Sequence, residues 1–186
     1  LPRPPSEEGL EDDPRADLRW GTIPRAFADA VATGGKREAI VDGDRRWTWN
    51  ELGAEVDRAA AAFLAAGIEV GDRVAIWAPN CAEWVAALLG LQGAGAVLVP
   101  LNTRYKGAEA ADILARSRAR ILVTVDGFLG ARYPAMLDGA DLPDLERVVV
   151  LRPDGPVDPD GPGHRPGLAW EDFLATGADV DPAAVA

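Results

Sequence analysis

The sequence predicts a three-layer α/β fold, in which a mostly parallel sheet is flanked by helices. The segments "RVAIWAP", "AVLVP", "RILVTV" and "RVVVL" are apolar on both faces, as expected of strands that helices cover on each side. Stretches with helical periodicity separate most of these segments, and the connections are short, which favours right-handed crossovers. At 186 residues, the chain is long enough for one well-buried domain.

The first half of the chain carries clear start and stop signals. Thr22 followed by Pro24 predicts the start of a helix that "TGG" ends. The segment "AIVDGDRRWTW" predicts two strands around a turn at Asp42–Gly43. Thr48 and Glu51 have the spacing of a capping box, so a second helix begins there and continues to Gly67.

The second half repeats the alternation of strands and helices. Asn80 with Glu83 predicts the cap of the helix "CAEWVAALLGLQ", which is apolar nearly all round and therefore buried. Further helices are predicted at about 108–118 and 128–138, and a last short one at "WEDFLATGA". Residues 152–167 are rich in proline and glycine and predict an exposed loop.

The domain prediction is one folded unit preceded by a short tail. Residues 1–19 are acidic and proline-rich, predict a flexible tail, and include the solvated charge run Glu11, Asp12 and Asp13. Residues 20–186 then form one α/β subdomain. The beginning of the sequence lacks the basic and apolar segments of a secretory signal, so a cytoplasmic location is predicted.

Composition excludes several classes of function. A net charge of −11 disfavours binding to nucleic acids and to anionic membrane surfaces. The only cysteine is Cys81 and the only histidine is His164, which excludes an internal disulfide, most zinc sites and a Ser-His-Asp triad. Cys81 follows a predicted cap, where a helix dipole would stabilise a thiolate, but a small buried cysteine explains it equally. His164 is predicted at the surface.

The "GAG" segment at residues 93–95 is not a dinucleotide fingerprint. Leu98 stands where the third glycine would be, and a helix precedes the strand instead of following it. We therefore interpret Gly93 and Gly95 as packing positions, where a buried helix turns closely into a central strand.

Two segments resemble the first signature motifs of the adenylate-forming superfamily, which includes acyl-CoA synthetases, peptide-synthetase adenylation domains and luciferases. They are "WTWNEL" at 47–52 and "LQGAGAVLVPLN" at 91–102. The resemblance covers residues 22–151 and implies the N-terminal subdomain of that fold. In that family a carboxylate attacks ATP to give an acyl adenylate, and the CoA thiol then displaces AMP. The resemblance therefore implies ATP, Mg²⁺ and CoA as cofactors of the full-length enzyme.

A finer resemblance concerns the acyl substrate. The segments "PLNTRYKGAEAADILARSRARILV", "GFLGARYPAML" and "WEDFLATGA" are similar to actinobacterial CoA ligases of steroid ring degradation. Those ligases activate the propanoate side chain of a steroid-derived methyl-indanedione, so the resemblance implies a carboxylate of that kind.

The sequence also departs from the family pattern. It contains no Ser/Thr/Gly-rich phosphate loop ending in Pro-Lys-Gly, no matching metal-binding Glu or ribose-binding Asp, and no catalytic Lys. The nearest phosphate-loop candidate, "TGGKR", has Ala30 and Arg37 where a glycine and a Ser/Thr are needed. We therefore predict an N-terminal ligase fragment that is inactive alone, binds no cofactor tightly, partners with the remainder of its own chain and self-associates through the exposed interface. The alternative is a stand-alone α/β binding or scaffolding module without catalysis.

Arg104 is the one candidate binding residue. It lies just past the carboxyl end of a predicted strand, and the resemblance implies that it contacts a CoA phosphate. A solvated arginine, or one paired with Glu109, explains the position equally. Asn102 and Thr103 in the same loop are explained by turn formation.

Trp77 and Trp84 are candidates for one wall of an acyl pocket, although core packing is the better explanation of aromatic residues there.

Overall fold

A computed structural model describes residues 21–153, 155–157 and 167–181 of the chain. The predicted acidic tail with Glu11, Asp12 and Asp13, most of the proline-glycine loop and His164 lie outside these described residues. The predictions made for them are therefore not tested by the structure.

The described residues alternate between helices and strands, as the sequence predicts. The helices are α1 (Ile23–Gly34), α2 (Trp49–Ala65), α3 (Ala82–Gly93), α4 (Gly107–Ser117) and α5 (Trp170–Ala175). The strands are β1 (Glu38–Asp42), β2 (Arg45–Thr48), β3 (Arg73–Trp77), β4 (Val97–Pro100), β5 (Ile121–Val125), β6 (Arg147–Leu151) and β7 (Gly167–Ala169).

The main sheet is parallel throughout and has the order β4-β3-β5-β6-β7. Because the chain moves from β3 outward to β4 and then back across to β5, right-handed crossovers place α3 and α4 on opposite faces. Helix α2 packs against α3, and α5 packs against both α2 and β6. The predicted three-layer α/β fold is confirmed.

Two local predictions are confirmed in atomic detail. Strands β1 and β2 form an antiparallel hairpin in which Asp42 pairs with Arg45 across the turn. At the start of α2, the Thr48 hydroxyl accepts a hydrogen bond from the Glu51 amide, while the Glu51 carboxylate accepts one from the Thr48 amide at 2.7 Å. These reciprocal bonds satisfy two donors that a helix start otherwise leaves unpaired.

The predicted cap of α3 is wrong. Cys81, not Asn80, is the residue at the N-cap, and its side chain makes no capping hydrogen bond. The Ala82 amide instead donates to Oδ2 of Asp42, 40 residues earlier, at 3.0 Å. The Glu83 carboxylate instead accepts hydrogen bonds from two arginines. A distant carboxylate has therefore replaced the local cap, which sequence spacing could not indicate.

The prediction of a helix over 128–138 is also wrong. This stretch contains two short 3₁₀ turns, Phe128–Gly130 and Pro134–Leu137. Leu129 and Gly130 have left-handed φ angles of 54° and 71°, which interrupt a helix. A strand that the sequence did not predict, β7, begins at Gly167, the last residue of the predicted loop.

The interpretation of "GAG" as a packing segment holds at Gly95. Its φ of 82° is left-handed, and a Cβ at this position would lie 2.8 Å from Cγ2 of Val70. The sequence prediction was wrong about the strand, because β4 is at the edge of the described sheet and not in its centre. Pro100, which lacks an amide donor, suits this edge position.

Candidate functional site

The loop after β4 lies at the carboxyl edge of the parallel sheet, and two core aromatic side chains hold its backbone. The indole Nε1 of Trp77 donates to the Asn102 carbonyl at 3.0 Å, and the Tyr133 hydroxyl donates to the Thr103 carbonyl at 2.7 Å. The two aromatic rings pack edge to face, with centroids 4.5 Å apart. The loop backbone is therefore fixed from below by buried groups.

The predicted turn role of Asn102 is confirmed. Its Oδ1 accepts a hydrogen bond from the Arg104 amide at 2.9 Å, two residues later, which is the geometry of an Asx turn. This turn leaves the Arg104 side chain exposed at the edge of the sheet. The loop thus presents a cation on a constrained backbone.

A cleft of about 190 Å³ opens beside this loop. One wall is formed by the loop and the other by the 3₁₀ segment; the lining residues are Thr103, Arg104, Tyr105, Lys106, Leu129, Ala131, Tyr133 and Met136. The cleft therefore combines two basic side chains with apolar ones. Such a lining suits a ligand that carries an anionic group next to an apolar ring or chain.

Arg104 is free to meet a ligand. Within the described part of the chain, its guanidinium has no ion-pair or hydrogen-bond partner. The alternative pairing with Glu109 is not formed, because the Glu109 carboxylate accepts from the Lys106 amide at 2.8 Å and starts α4. Most other described arginines bind a carboxylate or a backbone carbonyl, so an uncommitted one at this edge is distinctive.

The second wall of the cleft has an unusual backbone. Leu129 is 74% exposed and has a left-handed φ of 54°, although a leucine gains nothing from that conformation. Below it, the 3₁₀ turn meets the start of α4 so closely that a Cβ on Gly107 would collide with the Met136 carbonyl. Sequence reasoning missed this wall because it predicted a regular helix over the segment.

A second charged cluster lies at the same edge of the sheet, near the start of α3. The Glu83 side chain is only 5% exposed and accepts from Arg152 Nε at 2.8 Å and from a nitrogen of Arg45. A second nitrogen of Arg152 binds Asp42, whose carboxylate also caps α3. The cluster ties the hairpin, α3 and the residue after β6 together, and we call it the Glu83 cluster.

The Glu83 cluster holds its carboxylates ionised. Burial opposes ionisation of Glu83, but the hydrogen bonds and charge of Arg152, with the charge of Arg45, outweigh it and lower the pKa of the Glu83 carboxyl. The backbone hydrogen bond from Ala82, and then Arg152, lower the pKa of the Asp42 carboxyl. The one sequence signal for this cluster was a charged residue inside an otherwise apolar helix.

The remaining sequence candidates do not line the cleft beside Arg104. Trp77 is fully buried in the core, and Trp84 is partly buried on α3. Burial raises the pKa of the Cys81 thiol, so the predicted helix dipole does not activate it. In "TGGKR", the Arg37 guanidinium donates to the Gly34 and Thr33 carbonyls, so this turn is not a phosphate cradle.

A larger groove, of about 520 Å³, lies between α2 and the segment after α5. Its lining is mostly apolar with Asp57 and Arg58, and burial raises the pKa of the Asp57 carboxyl. Arg58 is already paired with Glu55 at 2.7 Å and Glu171 at 3.0 Å. The groove therefore offers an anionic ligand fewer unpaired basic side chains than the cleft beside Arg104 does.

Two features are absent from the described residues. No group of three or more His, Cys, Asp or Glu side chains there could hold a metal ion. Among the same residues, no helix is long and apolar enough to cross a membrane.

Comparison with known proteins gives consistent matches. The family model described as "AMP-binding enzyme" matches residues 27–181. A 7a-methyl-1,5-dioxo-octahydro-1H-inden-4-yl propanoyl:CoA ligase of Mycobacterium tuberculosis is 46% identical over 162 residues, which are 87% of this chain and 30% of that protein. The ligase of the same description from Rhodococcus jostii is 42% identical over 86% of this chain and 30% of that protein. The chain thus spans about 30% of the length of these curated relatives.

Solved structures match over a similar range. The anthranilate CoA ligase AuaEII in complex with anthranoyl-AMP has a TM-score of 0.70 and 27% identity, covering 82% of this chain and 27% of that one. Coronafacic acid ligase from Pectobacterium brasiliense has a TM-score of 0.71 at 20% identity, covering 85% of this chain and 30% of that one, and is a likeness of fold alone.

Proposed function

Because the chain belongs to the AMP-binding enzyme family, we propose that it is the N-terminal part of an ATP-dependent acyl-CoA ligase. The complete ligase would activate a carboxylate with ATP and transfer the acyl group to the thiol of CoA. We further propose a steroid-derived methyl-indanedione propanoate as the carboxylate, because the two relatives at 46% and 42% identity carry that description. A cytoplasmic location is part of the same proposal.

The residues of this chain suit CoA better than ATP. For ATP, the nearest phosphate-loop candidate in the sequence, the "TGGKR" turn, uses its arginine internally. For CoA, the cleft beside Arg104 offers an uncommitted guanidinium and an exposed lysine on a backbone fixed by Trp77 and Tyr133. An arginine that is permanently charged and bidentate suits a phosphate.

The observation that carries the proposal for this site is therefore the uncommitted Arg104 at the carboxyl edge of a parallel sheet. Ligands of open α/β sheets bind beyond the carboxyl ends of the strands. We propose that Arg104 binds a phosphate of CoA, that Lys106 adds positive charge nearby, and that the apolar lining contacts the rest of the nucleotide. Neither residue would touch the reacting carboxylate, so their role is binding.

The first experiment tests the reaction. The open reading frame that contains this chain is expressed to its full length, and formation of the acyl-CoA thioester is followed by mass spectrometry with the methyl-indanedione propanoate, ATP and CoA. Product that requires both ATP and CoA is expected from the full-length protein, and none from residues 1–186 alone. A frame that stops after Ala186, or a full-length protein that forms no thioester with this or other carboxylates, would refute the proposed function.

The second experiment tests Arg104 in the active full-length ligase. Loss of charged hydrogen bonds to a phosphate costs about 1.5–3 kcal/mol, so Arg104→Ala is expected to raise the KM for CoA about 10- to 150-fold. Carboxylate-dependent pyrophosphate exchange, which needs no CoA, should stay unchanged. Arg116→Ala on α4 is the matched control, because that arginine is 80% exposed and, among the described residues, pairs only with Asp112. An unchanged KM for CoA would remove Arg104 from the site.

A further inference from the structure

Leu129 is an exposed apolar side chain that lines the cleft beside Arg104. It is 74% exposed, and it shares the cleft with the basic side chains of Arg104 and Lys106. Four other large apolar side chains of the described residues are exposed, and none of them lines this cleft: Ile23, Val41, Val70 and Val97. A single exposed leucine is ordinary on a protein surface. The position of Leu129, next to two cations, is what distinguishes it.

The backbone of Leu129 adopts a conformation that leucine disfavours. Its φ is 54°, in the left-handed region that bulky side chains rarely occupy. Arg118 and Arg152 are the other described residues besides glycine with a positive φ. Each of them binds a carboxylate, Asp144 for Arg118 and Glu83 for Arg152. Leucine can form no such bond, and strained residues of this kind concentrate where proteins hold ligands.

The turn that carries Leu129 is closed at both ends. The Gly127 amide donates to the Ala131 carbonyl at 3.1 Å. One residue outside this pair on each side, the Arg132 guanidinium donates to Oδ2 of Asp126, also at 3.1 Å. Leu129 therefore lies in the middle of a short turn that is already closed without a ligand. A side chain on such a turn loses little backbone freedom when a ligand binds to it.

We propose that Leu129 packs against the adenine ring of CoA while Arg104 and Lys106 bind its phosphates. This inference rests on the proposed function and names the part of CoA that the cleft takes. The cleft of about 190 Å³ is smaller than the roughly 300–1,000 Å³ of pockets that enclose whole ligands, so it admits only one part of CoA. The adenine ring is rigid, has apolar faces and is joined through ribose to the phosphates. The pantetheine arm must instead lead to the acyl group.

Two substitutions separate the apolar contact from the shape of the turn. Asparagine tolerates a left-handed φ better than leucine does, but its amide is polar. Leu129→Asn is therefore expected to raise the Kd for CoA about 5- to 30-fold, because the apolar surface that the ring would cover is lost. Leu129→Met keeps an apolar side chain of similar volume and should bind CoA within about twofold of the wild type.

Isothermal titration calorimetry with the full-length ligase measures this binding without turnover. AMP is present throughout to occupy the adenylate site, and CoA and adenosine 3′,5′-bisphosphate are titrated separately. Both ligands contain the adenine ring, so Leu129→Asn should weaken both by similar factors. Ile23→Asn is the control, because that side chain is 55% exposed on α1 and does not line the cleft. If Leu129→Asn lowers the Tm, Leu129→Gly replaces it with the same expected loss, since glycine suits a left-handed φ.

Each outcome bears on a different part of the proposal. Equal Kd values for wild type and Leu129→Asn would overturn it. Weaker binding of CoA with unchanged binding of adenosine 3′,5′-bisphosphate would mean that Leu129 meets the pantetheine arm, which also overturns it. A wild-type ligase that binds no CoA would remove both Leu129 and Arg104 from the site. Thioester formation with equal CoA affinities would refute the Leu129 contact alone, whereas weaker binding by Leu129→Asn without thioester from any carboxylate would refute only the proposed reaction.

Discussion

Replacing Glu83 by glutamine tests whether the Glu83 cluster holds the hairpin, α3 and β6 together. The substitution keeps the volume of a side chain that is 5% exposed, but it removes the negative charge between Arg152 and Arg45. One carboxylate oxygen that accepts a guanidinium hydrogen bond becomes an amide nitrogen, which cannot accept. The variant therefore changes electrostatics and hydrogen bonding without opening a cavity.

The expected loss lies between two limits. Removing one partner of a fully buried ion pair costs about 3–5 kcal/mol, whereas an exposed pair contributes about 0–1 kcal/mol. Glu83 is buried, but the side chains of Arg45 and Arg152 are 43% and 42% exposed, so water partly replaces the lost charge. We expect Glu83→Gln to lower the free energy of unfolding by about 1–3 kcal/mol, after this discount for solvent screening.

The loss should depend on pH in a definite direction. The pKa of Glu83 is lowered in the folded protein from an ordinary value of 4.5. A carboxyl whose pKa falls on folding stabilises the protein above its unfolded pKa, and this contribution disappears as pH falls through the folded pKa. The difference between wild type and Glu83→Gln should therefore be full at neutral pH and shrink below about pH 4.5.

Urea unfolding at pH 7 and at pH 3, followed by tryptophan fluorescence, measures both quantities. The control is Glu38→Gln, which removes a carboxylate from an ion pair with Arg46 whose two side chains are 50% and 62% exposed. That variant should lose less than about 0.5 kcal/mol. A loss at Glu83 no larger than the control, or one that is equal at pH 7 and pH 3, would refute the reasoning.

Three further outcomes follow from single contacts. Gly95→Ala should lower the free energy of unfolding in urea by about 1–2 kcal/mol, because φ is 82° and the new Cβ meets Val70; a neutral result would show that the turn has another conformation. Tyr133→Phe removes the 2.7 Å bond to the Thr103 carbonyl and should cost about 1 kcal/mol, with faster hydrogen exchange at the Arg104 amide; unchanged exchange would show that the loop does not depend on this bond. Cys81 should react with iodoacetamide more slowly than a cysteine in an unstructured peptide at the same pH, since burial raises the pKa of its thiol, and equal rates would contradict that burial.

The parts of the fold that the sequence predicted are those with local causes. Strands β3, β5 and β6 are apolar on both faces because helices cover them on both sides, and this pattern is visible without any long-range information. The capping box of α2 joins residues three positions apart, so spacing alone indicates it. The family resemblance also came from short continuous segments, at residues 47–52 and 91–102.

The wrong cap of α3 and the missed Glu83 cluster share a different, long-range cause. The cap of α3 comes from Asp42 on a distant hairpin, and the partners of Glu83 lie 38 and 69 residues away. Which carboxylate meets which arginine depends on how the hairpin packs against the sheet, and no spacing rule contains that information. For Arg104 the sequence predicted a place at the carboxyl edge of the sheet, but only the structure shows that Glu109 is engaged elsewhere.

The distribution of charge along the carboxyl edge favours one end of it for an anionic ligand. Near β6 and the start of α3, Arg45 and Arg152 are balanced by Glu83 and Asp42, so they attract a phosphate weakly. Beyond β4, Arg104 and Lys106 form no ion pair with any described residue. The chain has a net charge of −11, so many carboxylates are available to pair with a cation. The Glu109 carboxylate accepts a hydrogen bond from the Lys106 amide at the start of α4 and does not pair with Arg104, so the positive charge of Arg104 stays available to a ligand.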